Sequence, residues 1–344
     1  MIAALCALAA LLAPVGPPPE AEPPPEEFGV VGFPLIAYAP ETSALAALVG
    51  VVFLPGSGPR PSSARLTAVY TLQHQAAVVF DPTLSFADGD WEVEGRVSAI
   101  RWRFPFQGFD GQAPRRWYTQ PAFSAEMVIS RRILGNFYAG VGGSYSLTEI
   151  DFGRRPPPQG LRGLEGGSMG GASAELRYDS RDHQLTPTRG MRYLARFEGR
   201  PPFASDFPHN RVTTEARAFF GDGRHVLGLQ AMWYGIWGDA PFFNLNTFGG
   251  QSEMRGVFRD RYRNTHSAFA QAEYRSPPVY WRVGFAGFGG VAATFGELGP
   301  FTPTWSLGAG VRVLLSEARK INLRVDGALA RGEHGAYLGL GEAF

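Results

Sequence analysis

The chain has 344 residues, a formal net charge of +1 and 18% charged residues, a balance that excludes a dedicated nucleic-acid binder with its basic excess. Gly (44) and Pro (28) make up roughly a fifth of the sequence, against about 12% in an average protein, and aromatic residues reach 13%, with 26 Phe. That aromatic content excludes a disordered chain, and Gly lacks the every-third-residue period of collagen, so many strands and turns are expected.

The first element is an unbroken run of Ile, Ala, Leu and Cys from Ile2 to Leu12. It is too short for a transmembrane helix, which needs ~20 apolar residues, and fits the ~7–15 of the apolar stretch in a secretory signal peptide. Residues 1–16 are therefore expected to be a signal peptide. The only cysteine, Cys6, falls inside it, so its removal leaves no thiol in an oxidising compartment. Residues 17–32, which include the run Pro17-Pro-Pro-Glu-Ala-Glu-Pro-Pro-Pro-Glu-Glu27, are expected to form an extended periplasmic tail. No second linker of this kind follows, so residues 33–344 are expected to form one domain.

Within that domain the dominant signal is period two. Glu175, Arg177, Asp179 and Arg181 alternate with Ala174, Leu176 and Tyr178; Gln271, Glu273 and Arg275 alternate with Ala270, Ala272 and Tyr274; Asn322, Arg324 and Asp326 alternate with Ile321, Leu323 and Val325. Each such segment is a strand with one polar and one apolar face. Strands of a soluble sandwich average about 5–6 residues. Here the runs are roughly 9–15 long, enough to cross a bilayer at a tilt. The expected fold is all-β: a transmembrane antiparallel barrel, since only a closed barrel satisfies every backbone group in lipid.

Sixteen strands are expected, near 33–39, 43–54, 63–72, 75–87, 90–104, 117–131, 137–152, 170–180, 190–200, 210–221, 225–238, 267–276, 281–295, 304–316, 319–330 and 336–344. An even count places both ends in the periplasm. Short connectors at 134–136 and 221–224 alternate with long ones at 105–116, 153–169 and 239–266, as expected of periplasmic turns and extracellular loops.

Four segments resemble the BamA/TamA superfamily of outer-membrane barrels, also described as bacterial surface antigens. Phe248-Gly-Gly-Gln-Ser-Glu-Met-Arg-Gly-Val-Phe258 is similar to the GG…(V/M)RG(F/Y) tip of that family's sixth extracellular loop. Tyr178-Asp-Ser-Arg-Asp182 followed by Pro187-Thr-Arg-Gly190 resembles its D-x-R-D…P-T-x-G element. Glu273-Tyr-Arg275 resembles its E-x-R in the twelfth strand, and Gly339-Leu-Gly-Glu-Ala-Phe344 its last strand, ending in an assembly-signal Phe. Together they cover roughly residues 170–344.

The resemblance implies that the sixth loop folds into the lumen and that Arg255, flanked by Met254, Gly256 and Phe258, pairs with Glu273 on the wall. The family's second carboxylate, in an F-x-D-x-G pattern, is replaced by Gly290 in Phe288-Gly-Gly-Val-Ala292, so that second anchor is expected to be absent and the lock to be weaker or differently made. Gly339 and Gly341 either loosen the seam between first and last strands or simply suit a tight barrel seam, and Phe344 is expected to serve as the C-terminal assembly signal. Members that insert or translocate proteins carry POTRA domains before the barrel. Here only the Pro/Glu segment precedes it, so a separate periplasmic partner would supply that part.

Other chemistry is weak. Gly166-Gly-Ser-Met-Gly170 matches G-x-S-x-G, but a nucleophile elbow needs a following helix, and a Gly-rich loop is the expected reading. The six His residues lack metal-ligand spacing, and one cysteine makes no site; His183 and His266 are expected in connections. Arg154, Arg155, Arg259, Arg261 and Arg263 read as solvated loop charges or as contacts to lipopolysaccharide phosphates. The expected protein is a non-enzymatic barrel without cofactor or metal, aiding insertion or passage of proteins or lipids. Its expected partners are outer-membrane lipid, lipopolysaccharide, the barrel-assembly machinery for its own insertion and a periplasmic protein; a passive diffusion pore or structural barrel is the alternative.

Overall fold

A computed structural model of the chain describes residues 28–54, 62–154, 158–183, 186–222, 224–316 and 321–344. The expected signal peptide, residues 17–27 of the tail, and Arg155 lie outside them. The strands are β1 (Gly29–Ala39), β2 (Ser43–Leu54), β3 (Ser62–Thr71), β4 (Ala76–Phe86), β5 (Trp91–Phe106), β6 (Arg116–Leu134), β7 (Phe137–Glu149), β8 (Gly166–Asp179), β9 (Gly190–Arg200), β10 (His209–Gly221), β11 (Val226–Gly238), β12 (His266–Arg275), β13 (Val283–Phe295), β14 (Thr302–Ser316), β15 (Ile321–Ala330) and β16 (Glu333–Leu340). Each pairs antiparallel with its sequence neighbours, and β1 meets β16 to close the barrel. The odd strands run toward the rim that carries the β11–β12 connection, called here the outer rim.

The alternation sorts the side chains as the sequence demands. Ile36, Leu48, Val141, Leu176, Leu307 and Leu329 point outward and stay exposed, an apolar band for hydrocarbon. Charged residues point inward and pair across the lumen. Arg177 on β8 reaches Glu94 on β5 at 2.6 Å and also bonds Glu92; Arg196 on β9 bonds Glu126 on β6; Arg192 on β9 and Arg217 on β10 share Glu215. A reach from β8 to β5 runs through the interior of the barrel, where low dielectric strengthens each pair.

Connections cap the outer end. Phe106, Tyr118 and Phe242 form an apolar cluster with Phe104, Phe109, Ile150, Phe152, Leu161, Leu164 and Phe243, drawn from the β5–β6, β7–β8 and β11–β12 regions. Connection length alone does not sort the rims. The outer turns at 40–42, 72–75 and 331–332 are short, whereas the inner β8–β9 connection runs from 180 to 189. Asp182 braces that inner connection by accepting from the backbone N–H of Thr188 at 2.8 Å and Arg189 at 3.1 Å.

Several strand ends shift by a few residues, so that the Gly-rich run from Gly166 lies in β8 rather than in a loop, and two further shifts bear on the site. β1 starts at Gly29 rather than 33, because β2 is long enough to pair Phe53 with Gly29; the end of the expected tail is therefore strand. β16 stops at Leu340 rather than 344. Gly341 takes φ +75, a left-handed conformation that suits glycine, and turns the chain into the lumen. There Glu342 accepts from Arg312 Nε at 2.8 Å, and Phe344 packs with Phe219, Val226 and Ala343. Phe344 is thus an interior residue at the inner end of the barrel. Gly339 stays in β16, opposite Arg324.

The lipid-facing assignment is testable at Met127, which lies on β6 between the levels of Arg131 and Arg101 and is 52% exposed. Met127→Arg is expected to lower the stability of protein folded in vesicles by about 2–4 kcal/mol in denaturant titration, and Met127→Leu to change it by less than about 1.5 kcal/mol.

Candidate functional site

The β11–β12 connection, residues 239–265 and here called L6, leaves the outer rim and turns back inside. Its base is closed by two backbone bonds between Asn246 and Asn264, at 3.0 and 3.2 Å. A short 3-10 turn, Phe242–Asn244, joins it to the apolar cap. The tip is a tight turn in which Val257 N–H donates to Met254 O at 3.1 Å and Gly250 N–H to Val257 O at 3.0 Å.

Apolar contacts seat this turn. Phe248, Met254, Val257 and Tyr262 pack against Phe269 of β12, Ala292 of β13 and Ala330 of β15. Met254 is fully buried, and its N–H donates to Gln271 Oε1 at 3.2 Å. Gly256 takes φ +100; its N–H donates to Tyr337 Oη of β16 at 2.9 Å. Phe258 N–H donates to Glu333 Oε2 at 3.1 Å, and Arg259 N–H to Glu41 Oε1, in the β1–β2 turn, at 3.0 Å. L6 thus touches β12, β13, β15, β16 and the turn beyond β1. From the other side Arg263 donates to the carbonyl oxygen of Pro105 on β5 at 3.1 Å, so the loop crosses the lumen.

Arg255 is the centre of this arrangement. It is fully buried, as is Glu273, which it bonds through Nη2. Its Nη1 donates to Asp326 Oδ2 at 2.6 Å, and its guanidinium carbon lies 3.4 Å from the centroid of the Phe288 ring. The second anchor therefore exists and comes from β15, correcting the expectation drawn from Gly290. Gly290 has a different part: a Cβ there would lie 2.8 Å from Met254 Sδ and 2.7 Å from the Ala270 carbonyl oxygen. The bare backbone lets the L6 tip lie against the wall.

The two carboxylates are held in turn. Asp326 Oδ1 accepts from Arg312 Nη1 at 2.6 Å, and Glu273 Oε1 from Arg275 Nε at 2.7 Å. Arg312 also bonds Glu342, and Arg324 lies 3.6 Å from Asp326. Arg275 donates onward to the carbonyl oxygens of Phe344 at 2.9 Å and Pro187 at 3.3 Å. Four guanidiniums and three carboxylates thus run from the L6 tip to the C-terminal turn and the β8–β9 connection. In the sequence Arg324 and Asp326 lie on a polar face, Arg275 in the E-x-R motif and Glu342 in the last-strand motif, none with a role that the pattern assigns; Arg312 carries no signal beyond its charge.

Other candidates separate from this network. Arg263 is buried and donates to the carbonyls of Asp260, Phe242 and Pro105. Arg261 pairs with Glu333 at 2.9 Å. Neither is a free surface charge, because L6 folds inward. Ser168 lies at the start of β8, donates to Asp206 Oδ2 at 2.9 Å and is followed by strand rather than helix. His266 opens β12 and stacks between Trp233 and Phe295 instead of lying in a connection; His183 Nδ1 accepts from Thr186 N–H at 3.1 Å.

No protein-family model and no curated protein matches the sequence. Solved structures do. BamA from Haemophilus ducreyi lacking POTRA domains 1-3 is similar with a TM-score of 0.63 and 12% identity, over 91% of this chain and 70% of that one. CdiB from Acinetobacter baumannii gives a TM-score of 0.58 at 9% identity over 92% of this chain, and CdiB from Escherichia coli gives 0.58 at 12% over 93%. This chain spans 59% and 64% of those two, less than two thirds of their length. At such identities the likeness is one of fold.

Breaking one partner of a buried ion pair costs about 3–5 kcal/mol, and Arg255→Met is expected to destabilise the barrel by that order in denaturant titration. A double-mutant cycle of Arg255→Met with Asp326→Asn should show coupling above about 0.5 kcal/mol. Arg255→Glu with Glu273→Arg should recover only part of the loss, because a glutamate at 255 would face Asp326.

Proposed function

We propose that the chain is an outer-membrane barrel of the assembly or translocation kind, which opens between β1 and β16 to insert or pass protein or lipid. The observation that carries this reading is the seam. β1 and β16 are in register only at Tyr38 and Leu338, whereas every other pair of neighbouring strands is joined over eight or more positions, as β15 is to β16. Unpaired strand edges template pairing with another chain, so a seam this sparse offers an edge to an incoming strand. The arginine clamp holds L6 against β12 and β15 without bridging that seam through backbone pairing, and Gly341 ends β16 short of the inner rim.

The resemblance of the L6 tip to the BamA/TamA superfamily and the likeness in fold support the same reading. We take the protein to be non-enzymatic, to act with a separate periplasmic partner and to depend on the barrel-assembly machinery for its own insertion. L6 and the apolar cap, which cross the lumen, weigh against a passive pore.

The test is a disulfide across the seam in full-length protein with Cys6 replaced by Ser, Tyr38→Cys and Leu338→Cys, whose Cα positions oppose each other. In proteoliposomes, the reduced protein should accelerate insertion of an unfolded barrel protein; the oxidised one should not, and reductant should restore it. Equal activity of oxidised and reduced protein contradicts seam opening, and a large, stable current in planar bilayers favours the pore.

A further inference from the structure

The outward face of the sixteen strands is almost free of charge. By strand alternation and register, its formal charges are Arg101 and Arg103 on β5, Arg131 near the inner end of β6, and Glu149 at the outer end of β7. Arg101 and Arg103 are neighbours on that face, and both are exposed. Arg101 lies level with Ala76 and, through it, with Tyr70, the outermost registered pair of β3 and β4. The two arginines therefore sit at the outer edge of the apolar band, not at its middle.

Aromatic rings mark the same level. Tyr70 is exposed, and its hydroxyl meets His74 Nδ1 at 2.9 Å. Arg103 lies over the Trp117 ring at 4.9 Å; Arg115 belongs instead with L6, lying over the Phe258 ring at 4.5 Å, and Trp117 meets the same ring edge-on at 6.2 Å. Tyr and Trp gather where hydrocarbon gives way to lipid headgroups, and a stacked guanidinium keeps its in-plane donors available. Among the described residues neither Arg101 nor Arg103 has a carboxylate partner, whereas most arginines inside the barrel have one.

We propose that Arg101 and Arg103, with Tyr70 at the same level, bind the phosphate groups of a phosphorylated glycolipid headgroup in the outer leaflet. The guanidinium fork matches phosphate oxygens in bidentate geometry, and two neighbouring guanidiniums suit a headgroup bearing more than one phosphate. A zwitterionic headgroup offers a cation of its own that these arginines repel. The proposal rests on the outer-membrane reading for the leaflet it names and not on seam opening. It places the lipid contact on the outward face of β5 rather than on Arg259, Arg261 and Arg263.

The test uses purified full-length protein in zwitterionic detergent with a fluorescent diphosphoryl lipid A as probe, against its dephosphorylated form. The wild type is expected to bind the diphosphoryl probe at least about tenfold more tightly, the worth of one charge-assisted bond. Arg101→Gln with Arg103→Gln should abolish that preference, and Arg131→Gln, at the other end of the barrel, should keep it. Arg101→Lys with Arg103→Lys, which retains the charge, should fold as the wild type and keep a preference several-fold weaker. The proposal is overturned if the wild type has no preference, if the double Gln variant retains it, or if inorganic phosphate at equal phosphate concentration displaces the probe fully, since that marks a free-anion site. Because the readout is binding, it holds or fails whatever the crosslinked seam does to insertion.

Discussion

Arg255 is sealed from water between Glu273 of β12 and Asp326 of β15, with Phe288 beneath its guanidinium. Taking an ion out of water costs several kcal/mol unless its geometry and its partners' remaining lone pairs are satisfied. Here Arg275 and Arg312 complete the two carboxylates. The arrangement works only when β12, β14, β15 and the L6 tip are all in place, so one loop residue ties the lumen to three strands. The same chain of charges reaches Glu342 and Phe344, which links the outer loop to the inner end of β16.

A second constraint follows from the first. With L6 held on the wall by side chains, the barrel does not need a strong β1–β16 ladder to keep its shape, and the ladder is reduced to Tyr38 and Leu338. The apolar exterior allows no buried polar compensation at that junction, since backbone groups facing lipid must find partners within the barrel. A lumen strongly braced by ion pairs and a seam weakly paired by backbone are therefore complementary features of one structure. The few outward charges follow the same logic: they survive only at the band's edges, where headgroups or aromatic rings can meet them.

The barrel was legible because a strand facing lipid on one side and charges on the other leaves a period-two record in sequence. The bounds of β2 and β9 match the expected 43–54 and 190–200. Legibility failed where position depends on distant residues. The inward turn at Gly341 depends on Arg312, Arg275 and Phe219, which no local pattern connects to it. Asp326 was visible as one polar position among several, but its use as an anchor depends on the reach of a loop some seventy residues earlier. Arg261 and Arg263 read as surface charges because a loop that folds inward has the same composition as one that folds outward. Arg101 and Arg103 broke the alternation, and only the register of β5 against β4 and β6 shows that they face out.

The central claim is that the L6 tip is a fixed part of the barrel interior. Amide hydrogen exchange of the folded protein measures this directly at Met254, Gly256, Val257 and Phe258, whose N–H groups bond Gln271, Tyr337, Met254 and Glu333. These amides are expected to exchange as slowly as those of β12. Exchange at the rate of the exposed β13–β14 connection, residues 296–301, would contradict the account.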